Sequence, residues 1–167
     1  MDFEELFSQL EKNNVNYVIC GGLAVALYGI PRMTFDIDLI IEMEKQNLLQ
    51  FEKTMNELGY KSILPFSLNQ LIEKESISDL IKDKNLIAFG FFNTTRNKMN
   101  IDVLVDISVS YEKISSNRVH RQIGKTGFYL IGIDELIELK KYANRMQDKK
   151  DIEQLMELKN KKNQDGI

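Results

Sequence analysis

Apolar residues recur along this chain first at helical spacing and then in short unbroken runs. Phe3, Leu6, Phe7 and Leu10 fall on one side of a helix, so the pattern predicts an amphipathic helix over residues 2–13, ended by Asn13-Asn14. Residues 15–20 read as a strand, Gly21-Gly22 as a turn, and residues 23–28 as a short helix that Gly29-Ile30-Pro31 breaks. A second strand follows over 34–41, apolar on both faces and therefore central in its sheet. Leu48, Leu49, Phe51, Met55 and Leu58 form the inner side of a helix over 47–58, stopped by Gly59, and residues 60–64 read as a further strand.

Leu68, Leu71, Ile72, Ile77, Leu80 and Ile81 predict one or two short helices within residues 65–84. Two strands, 86–92 and 99–105, are joined by a polar, hairpin-like segment over 93–98. Residues 118–125 read as a connecting loop, 128–131 as a last strand, and 133–142 and 151–162 as helices. The sum is one α+β domain spanning residues 1–167. A mixed β-sheet core over about 14–131 is flanked by helices, with a C-terminal helical segment over about 133–163.

Composition adds limits. With 167 residues and 43% hydrophobic content there is room for a core without disulfides or structural metal. One cysteine, Cys20, cannot form an intrachain disulfide; set in an apolar run, it reads as a buried strand residue. A single Cys and a single His, His120, exclude zinc ligand sets and Cys/His catalytic pairs. Apolar runs such as 86–92 are far too short to span a bilayer, and the acidic N-terminus is unlike a signal peptide, so a cytoplasmic protein with no membrane partner is expected. The net charge of −3 gives no general case for nucleic-acid binding. Residues 118–125 and 140–162 are locally basic, which suits either an anionic ligand such as RNA or an ordinary solvated face.

The chemistry lies in the acids. Asp36 and Asp38 stand two residues apart in a predicted strand and so share a face. In the later strand Asp102, Leu104 and Asp106 share one face, and Ile101, Val103 and Val105 the other. Should the two strands be neighbours, Asp36, Asp38 and Asp102 form a cluster of like charges that needs cations. Hard carboxylate oxygens suit Mg²⁺ joined to substrate phosphates, and two such ions serve an in-line phosphoryl displacement. The Gly21-Gly22 pair would let backbone amides approach an anion closely. Each piece alone has an ordinary explanation: a strand end facing solvent, a turn, an edge residue. Their order along the chain is what favours a site.

That order resembles the nucleotidyltransferase signature of the DNA polymerase β superfamily, in which an apolar strand leads to Gly-Gly or Gly-Ser, a helix, and then Asp-x-Asp. It looks most like small AbiEii-like nucleotidyltransferases related to abortive-infection toxins. The matching residues are Gly21-Gly22-Leu23-Ala24, Gly29, and Arg32-Met33-Thr34-Phe35-Asp36-Ile37-Asp38. A second stretch, Lys140, Ala143 and Arg145 followed by Asp148-Lys149-Lys150-Asp151 to Leu155, is similar to their later motif. On one continuous helix Lys140 and Asp151 would fall at about the same angle.

The resemblance implies a polymerase β-like nucleotidyltransferase fold and a donor nucleoside triphosphate (NTP). It implies Mg²⁺, with Mn²⁺ as an alternative, held by Asp36, Asp38 and Asp102, the last also helping to deprotonate an attacking hydroxyl. Gly21 and Gly22 would bring backbone amides to the triphosphate, and Arg32 and Thr34 would either bind phosphate or fix the loop, with Lys140 adding charge and Asp151 supporting it. Nucleoside monophosphate would pass to an RNA end such as tRNA, a protein hydroxyl or a small molecule. Two departures bear on the acceptor: the toxins carry an extra helical region for which little chain remains here, and Gly22 stands where the wider superfamily often has Ser. The alternative from another class is a non-catalytic or regulatory partner-binding protein, antitoxin-like, in a toxin–antitoxin pair on the same fold.

Overall fold

The computed structural model describes residues 3–68, 70, 87–95 and 98–164. Most of the predicted helical stretch 65–84, and Leu86 at the start of a predicted strand, lie outside the described residues. The chain runs α1 (Phe3–Lys12), β1 (Tyr17–Ile19), α2 (Gly21–Leu27), β2 (Asp36–Ile41), α3 (Lys45–Glu57), β3 (Tyr60–Ser62), β4 (Ala88–Asn93) and β5 (Asn100–Leu104). It continues with α4 (Tyr111–Asn117), β6 (Val119–Ile123), β7 (Thr126–Leu130), α5 (Ile133–Ala143) and α6 (Met146–Gln164). The strands form a seven-stranded mixed sheet in the order β3-β4-β5-β2-β1-β7-β6. β2 and β5 pair in parallel, as do β1 and β7, and the other neighbours are antiparallel.

β2 is central, as its apolar faces predict. The core against β4 and β5 is apolar and aromatic: Phe89 and Phe91 share a face with their cross-strand partners Val103 and Ile101. Phe51 of α3 meets Phe91 edge-on, with ring centroids 5.5 Å apart. Across the sheet, Phe7 of α1 stacks on Tyr17 and packs against Phe128. These contacts leave the other face of β2 and β5, the one carrying the aspartates, to look toward α5 and α6.

Four sequence-based expectations are corrected here. Residues 118–125 are not a loop: 119–123 form the edge strand β6, hairpin-paired with β7 through Gly124, whose φ of +58° suits a tight turn. Its side chains are mostly exposed and polar, so no apolar alternation marks it as a strand. Leu49 is 49% exposed rather than on the inner side of α3; the buried face there includes Leu48, Phe51, Thr54 and Met55. Cys20 is fully buried but lies just past β1, where it caps α2. β5 ends at Leu104, so Asp106 is not a strand residue beside Asp102.

Candidate active site

Asp36 and Asp38 stand on β2 opposite Asn100 and Asp102 of β5. Side chains level with one another on adjacent strands point to the same side of the sheet, so the three carboxylates share a face. Burial alternates accordingly: Ile37, Leu39, Ile101 and Val103 are buried, whereas Asp36, Asp38, Asp102 and Leu104 are partly open. On its other side Asp102 is level with Gly90 of β4, where a Cβ would stand 3.2 Å from Asp102 Oδ1. Glycine there leaves the carboxylate its room.

The turn after β1 is shaped by the same acids. Gly21 adopts φ +62°, and a Cβ on it would lie 1.8 Å from Asp38 Oδ2, so no other residue fits against this carboxylate. The Gly22 N–H donates to Asp38 Oδ2 at 3.3 Å. A Cβ at Gly22 would meet Thr34 Oγ1 at 2.9 Å and Arg32 Cζ at 3.7 Å. Glycine at this position therefore has a local reason: Thr34 stands too close for a Cβ. Thr34 Oγ1 donates to the Asp36 carbonyl at 3.1 Å, bracing the entry to β2.

Among the described residues none of these acids is in an ion pair, and Asp38 has the Gly22 amide as its hydrogen-bond donor. Burial pushes the Asp38 carboxyl up from its ordinary value; the Gly22 amide and the charge of Arg145 oppose that, while Asp36 adds to it. Burial likewise raises Asp102, with Asp36 and Asp38 adding to the effect. Among the described residues, no three His, Cys, Asp or Glu side chains converge as a ready-made metal site. The donors still fit a hard cation in kind, because they are carboxylate oxygens whose mutual repulsion a divalent ion would relieve. Mg²⁺ commonly takes one or two carboxylates and completes its shell with water and substrate phosphate, so a closed protein cage is not required.

Lys140 and Asp151 meet, but not along one helix. Asn144 adopts a left-handed φ of +50°, ending α5, and the chain turns into α6. Lys140 Nζ of α5 then reaches across to Asp151 Oδ2 at 2.7 Å and Asp148 Oδ1 at 3.1 Å, all three side chains being buried. Asp151 also faces Arg32, whose Nε lies 3.4 Å from its Oδ1, and accepts from Gln147. Asp148 accepts from the Arg145 backbone N–H at 3.1 Å and from Arg145 Nε at 2.8 Å. Burial works against both acids, yet Lys140 and Arg145 hold Asp148 below the ordinary value, and Lys140, Gln147 and Arg32 do so for Asp151.

Asp38 of the strand acids and Lys140 and Arg145 of the helical corner border a cleft of about 530 Å³. Gly21, Asp38, Lys140 and Arg145 line one part of it, and Leu104, Ile107, Leu136 and Leu139 supply apolar wall. Asp106 lies on this wall, its carboxylate taking the Tyr142 hydroxyl at 3.1 Å. Arg145 and Asp148 were not among the site residues expected from sequence, although Arg-x-x-Asp at the start of a helix, where an acid also suits the helix dipole, is a readable signal.

A model of the family described as nucleotidyl transferase of unknown function (DUF2204) matches residues 1–165. No curated protein matches the chain in sequence. Solved structures share its fold. The lincomycin-bound lincosamide antibiotic adenylyltransferase LnuA is 16% identical, with a TM-score of 0.59 over 93% of this chain and 97% of that one. ANT(2")-Ia in complex with adenylyl-2"-tobramycin is 12% identical, with a TM-score of 0.53 over 98% of this chain and 95% of that one. A putative nucleotidyltransferase from Thermotoga maritima is 14% identical, with a TM-score of 0.54 over 94% and 89%.

Proposed function

The chain belongs to this family of nucleotidyl transferases, and from that premise we propose a Mg²⁺-dependent transfer of nucleoside monophosphate from an NTP to a hydroxyl acceptor, in which the acceptor oxygen bonds to the α-phosphorus and pyrophosphate leaves. Asp36, Asp38 and Asp102 are the acids of the reacting centre. The observation that carries this reading is the parallel register of β2 and β5, with Asp38 level with Asp102 and both raised by burial. A divalent ion bound there would supply positive charge for the phosphates and for the developing alkoxide.

The chain's own groups do the rest. The Asp102 carboxylate accepts the proton of the acceptor hydroxyl. Gly21 and Gly22 let the triphosphate approach the backbone closely, while Asp38 is fixed by the Gly22 amide. Arg32 and Thr34 hold the segment leading into Asp36. The apolar part of the cleft takes the uncharged body of the nucleotide or of its acceptor.

The acceptor is a hydroxyl of an RNA end, a protein or a small molecule. The antibiotic adenylyltransferases of comparable length support the last of these. Residues 21–38 and 140–155 support the finer affiliation with AbiEii-like toxins. A partner-binding protein without catalysis would have no need of the three acids on one open face, so the enzyme reading is preferred. The test is incubation with each labelled NTP and Mg²⁺, offering total RNA, lysate protein and a panel of hydroxylated small molecules. Label transfer that disappears in Asp36→Ala and Asp38→Ala supports the proposal; equal silence in wild type and variants, with tight binding of a toxin protein instead, sinks it.

A further inference from the structure

We propose that Arg145, rather than Lys140, is the side chain of the α5–α6 corner that binds the donor's phosphates; this rests on the nucleotidyl-transfer reading above. Lys140 looks like the phosphate ligand from sequence, but its ammonium is already committed. It is 4% exposed and sits between Asp148 and Asp151, which are 2% and 0% exposed. Turning Nζ toward a ligand would strand two buried carboxylates, the costly way to break such a pair. Lys140 is a strut that joins α5 to α6.

Arg145 stands differently. Its side chain is 74% exposed, and it lines the cleft with Gly21, Asp38 and Lys140. Asp148 holds its Nε at 2.8 Å and, weakly, its Nη2 at 3.5 Å. Among the described residues its Nη1 has no acceptor, so one edge of the guanidinium stays free. The charge balance points the same way. Lys140, Arg32 and Arg145 face two acids, Asp148 and Asp151, leaving one positive charge over. Arg145 is the most exposed of the three cations, so the excess is presented in the cleft, on the side of Asp38. A planar guanidinium with a free edge suits phosphate oxygens, and its anchoring by Asp148 limits the rotamer freedom lost on binding.

The full-length protein tests this by calorimetric binding of two probes, inorganic tripolyphosphate and a non-hydrolysable NTP, each with Mg²⁺. Arg145→Ala should weaken both by about 10- to 100-fold, the range for losing a charged hydrogen bond. Its melting temperature should fall less than that of Lys140→Met, because Asp148 keeps Lys140 and the backbone N–H of residue 145 as partners. Arg145→Lys should recover part of the affinity, restoring charge without the fork. Lys140→Met should show the reverse profile, a lowered melting temperature with tripolyphosphate still bound by the folded fraction. Unchanged tripolyphosphate affinity in Arg145→Ala overturns the assignment while leaving nucleotidyl transfer standing. Failure of the wild type to bind either probe, with Mg²⁺ or Mn²⁺, overturns the underlying reading and the assignment with it.

Discussion

Two groups of aspartates, one on the strands and one at the α5–α6 corner, approach one cleft through Asp38 and through Lys140, and their environments are opposite. On β2 and β5, Asp36, Asp38 and Asp102 share a face, and burial raises Asp38 and Asp102, with the Gly22 amide and the charge of Arg145 only partly offsetting it at Asp38. At the α5–α6 corner, Asp148 and Asp151 are more deeply buried, yet lysine and arginine hold them below the ordinary range. Burial acts in the same direction on both groups; the supply of internal counter-charge decides the outcome. At the corner both buried acids are countered, and their pairing with Lys140 joins α5 to α6. The strand face has no ion pair among the described residues to offset its acids, and it is there that the proposed metal–nucleotide complex would bind.

The largest effect should come from breaking the strand side. Asp38→Ala or Asp36→Ala should lower NTP-dependent transfer by about 10³-fold or more, several kcal/mol of charge stabilisation being at stake. The fold should survive, because both side chains lie on the open face. Gly21→Ala reaches the same place indirectly. Its Cβ would fall within bonding distance of Asp38 Oδ2 and would sit at φ +62°, so the carboxylate must move. Activity should fall by at least about 10-fold, along with a loss of stability of about 1 kcal/mol, measured by steady-state assay and thermal melting. Full activity in Gly21→Ala would show that Asp38 need not be held where it is.

Breaking the helical corner should give the opposite signature. Lys140→Met leaves Asp148 and Asp151 buried without their shared cation, a loss of about 3–5 kcal/mol. Its melting temperature should drop on the order of 10 °C. The pH dependence follows from the lowered acids. They hold protons less tightly when folded, so their contribution is present above 3.8, their ordinary value, and is lost as pH falls through the lowered value. Wild type should therefore show an acid-side decline in melting temperature that is much weaker in Lys140→Met. Equal declines in both proteins would mean that the corner does not behave as a closed ionic unit.

What could be read from the sequence differs between these groups for a physical reason. The strand acids were legible because a period of two fixes which residues share a face, and an aspartate in an apolar run stands out. The neighbouring of β2 and β5 was an expectation only, since register depends on contacts far apart in sequence. The Lys140–Asp151 contact was legible as a motif but through the wrong geometry: Asn144 breaks the helix, and the pair meets across a turn. An asparagine carries no certain stop signal, whereas Gly29 and Gly59, with φ of +88° and +79°, end their helices as read. β6 was missed because an exposed edge strand built from Val119, His120, Arg121, Gln122 and Ile123 has little apolar alternation to detect. Arg145 and Asp148 stand in the second matching stretch but were given no role from it; the buried position of Asp148 supplies one.

The smallest expected effect is also the most discriminating between the two sides. Asp102 is raised, so the folded protein binds its proton more tightly than the unfolded chain does. Stability from this group is greatest in acid and falls as pH rises from 3.8 through the raised value, leaving a cost at neutral pH. Asp102→Asn removes the charge and should raise the melting temperature at pH 7 in metal-free buffer by about 1–3 °C, the site being too open for more. At pH 3, where the native carboxyl is protonated, the gain should vanish. Adding Mg²⁺ should then stabilise wild type more than the variant, since the variant has lost both the repulsion and the ligand. Asp148→Asn at the opposite corner should lower the melting temperature at pH 7 and leave the Mg²⁺ response intact. A destabilised Asp102→Asn at pH 7, without metal, would mean that Asp102 already has an internal partner, and the contrast between the two acid groups would fail.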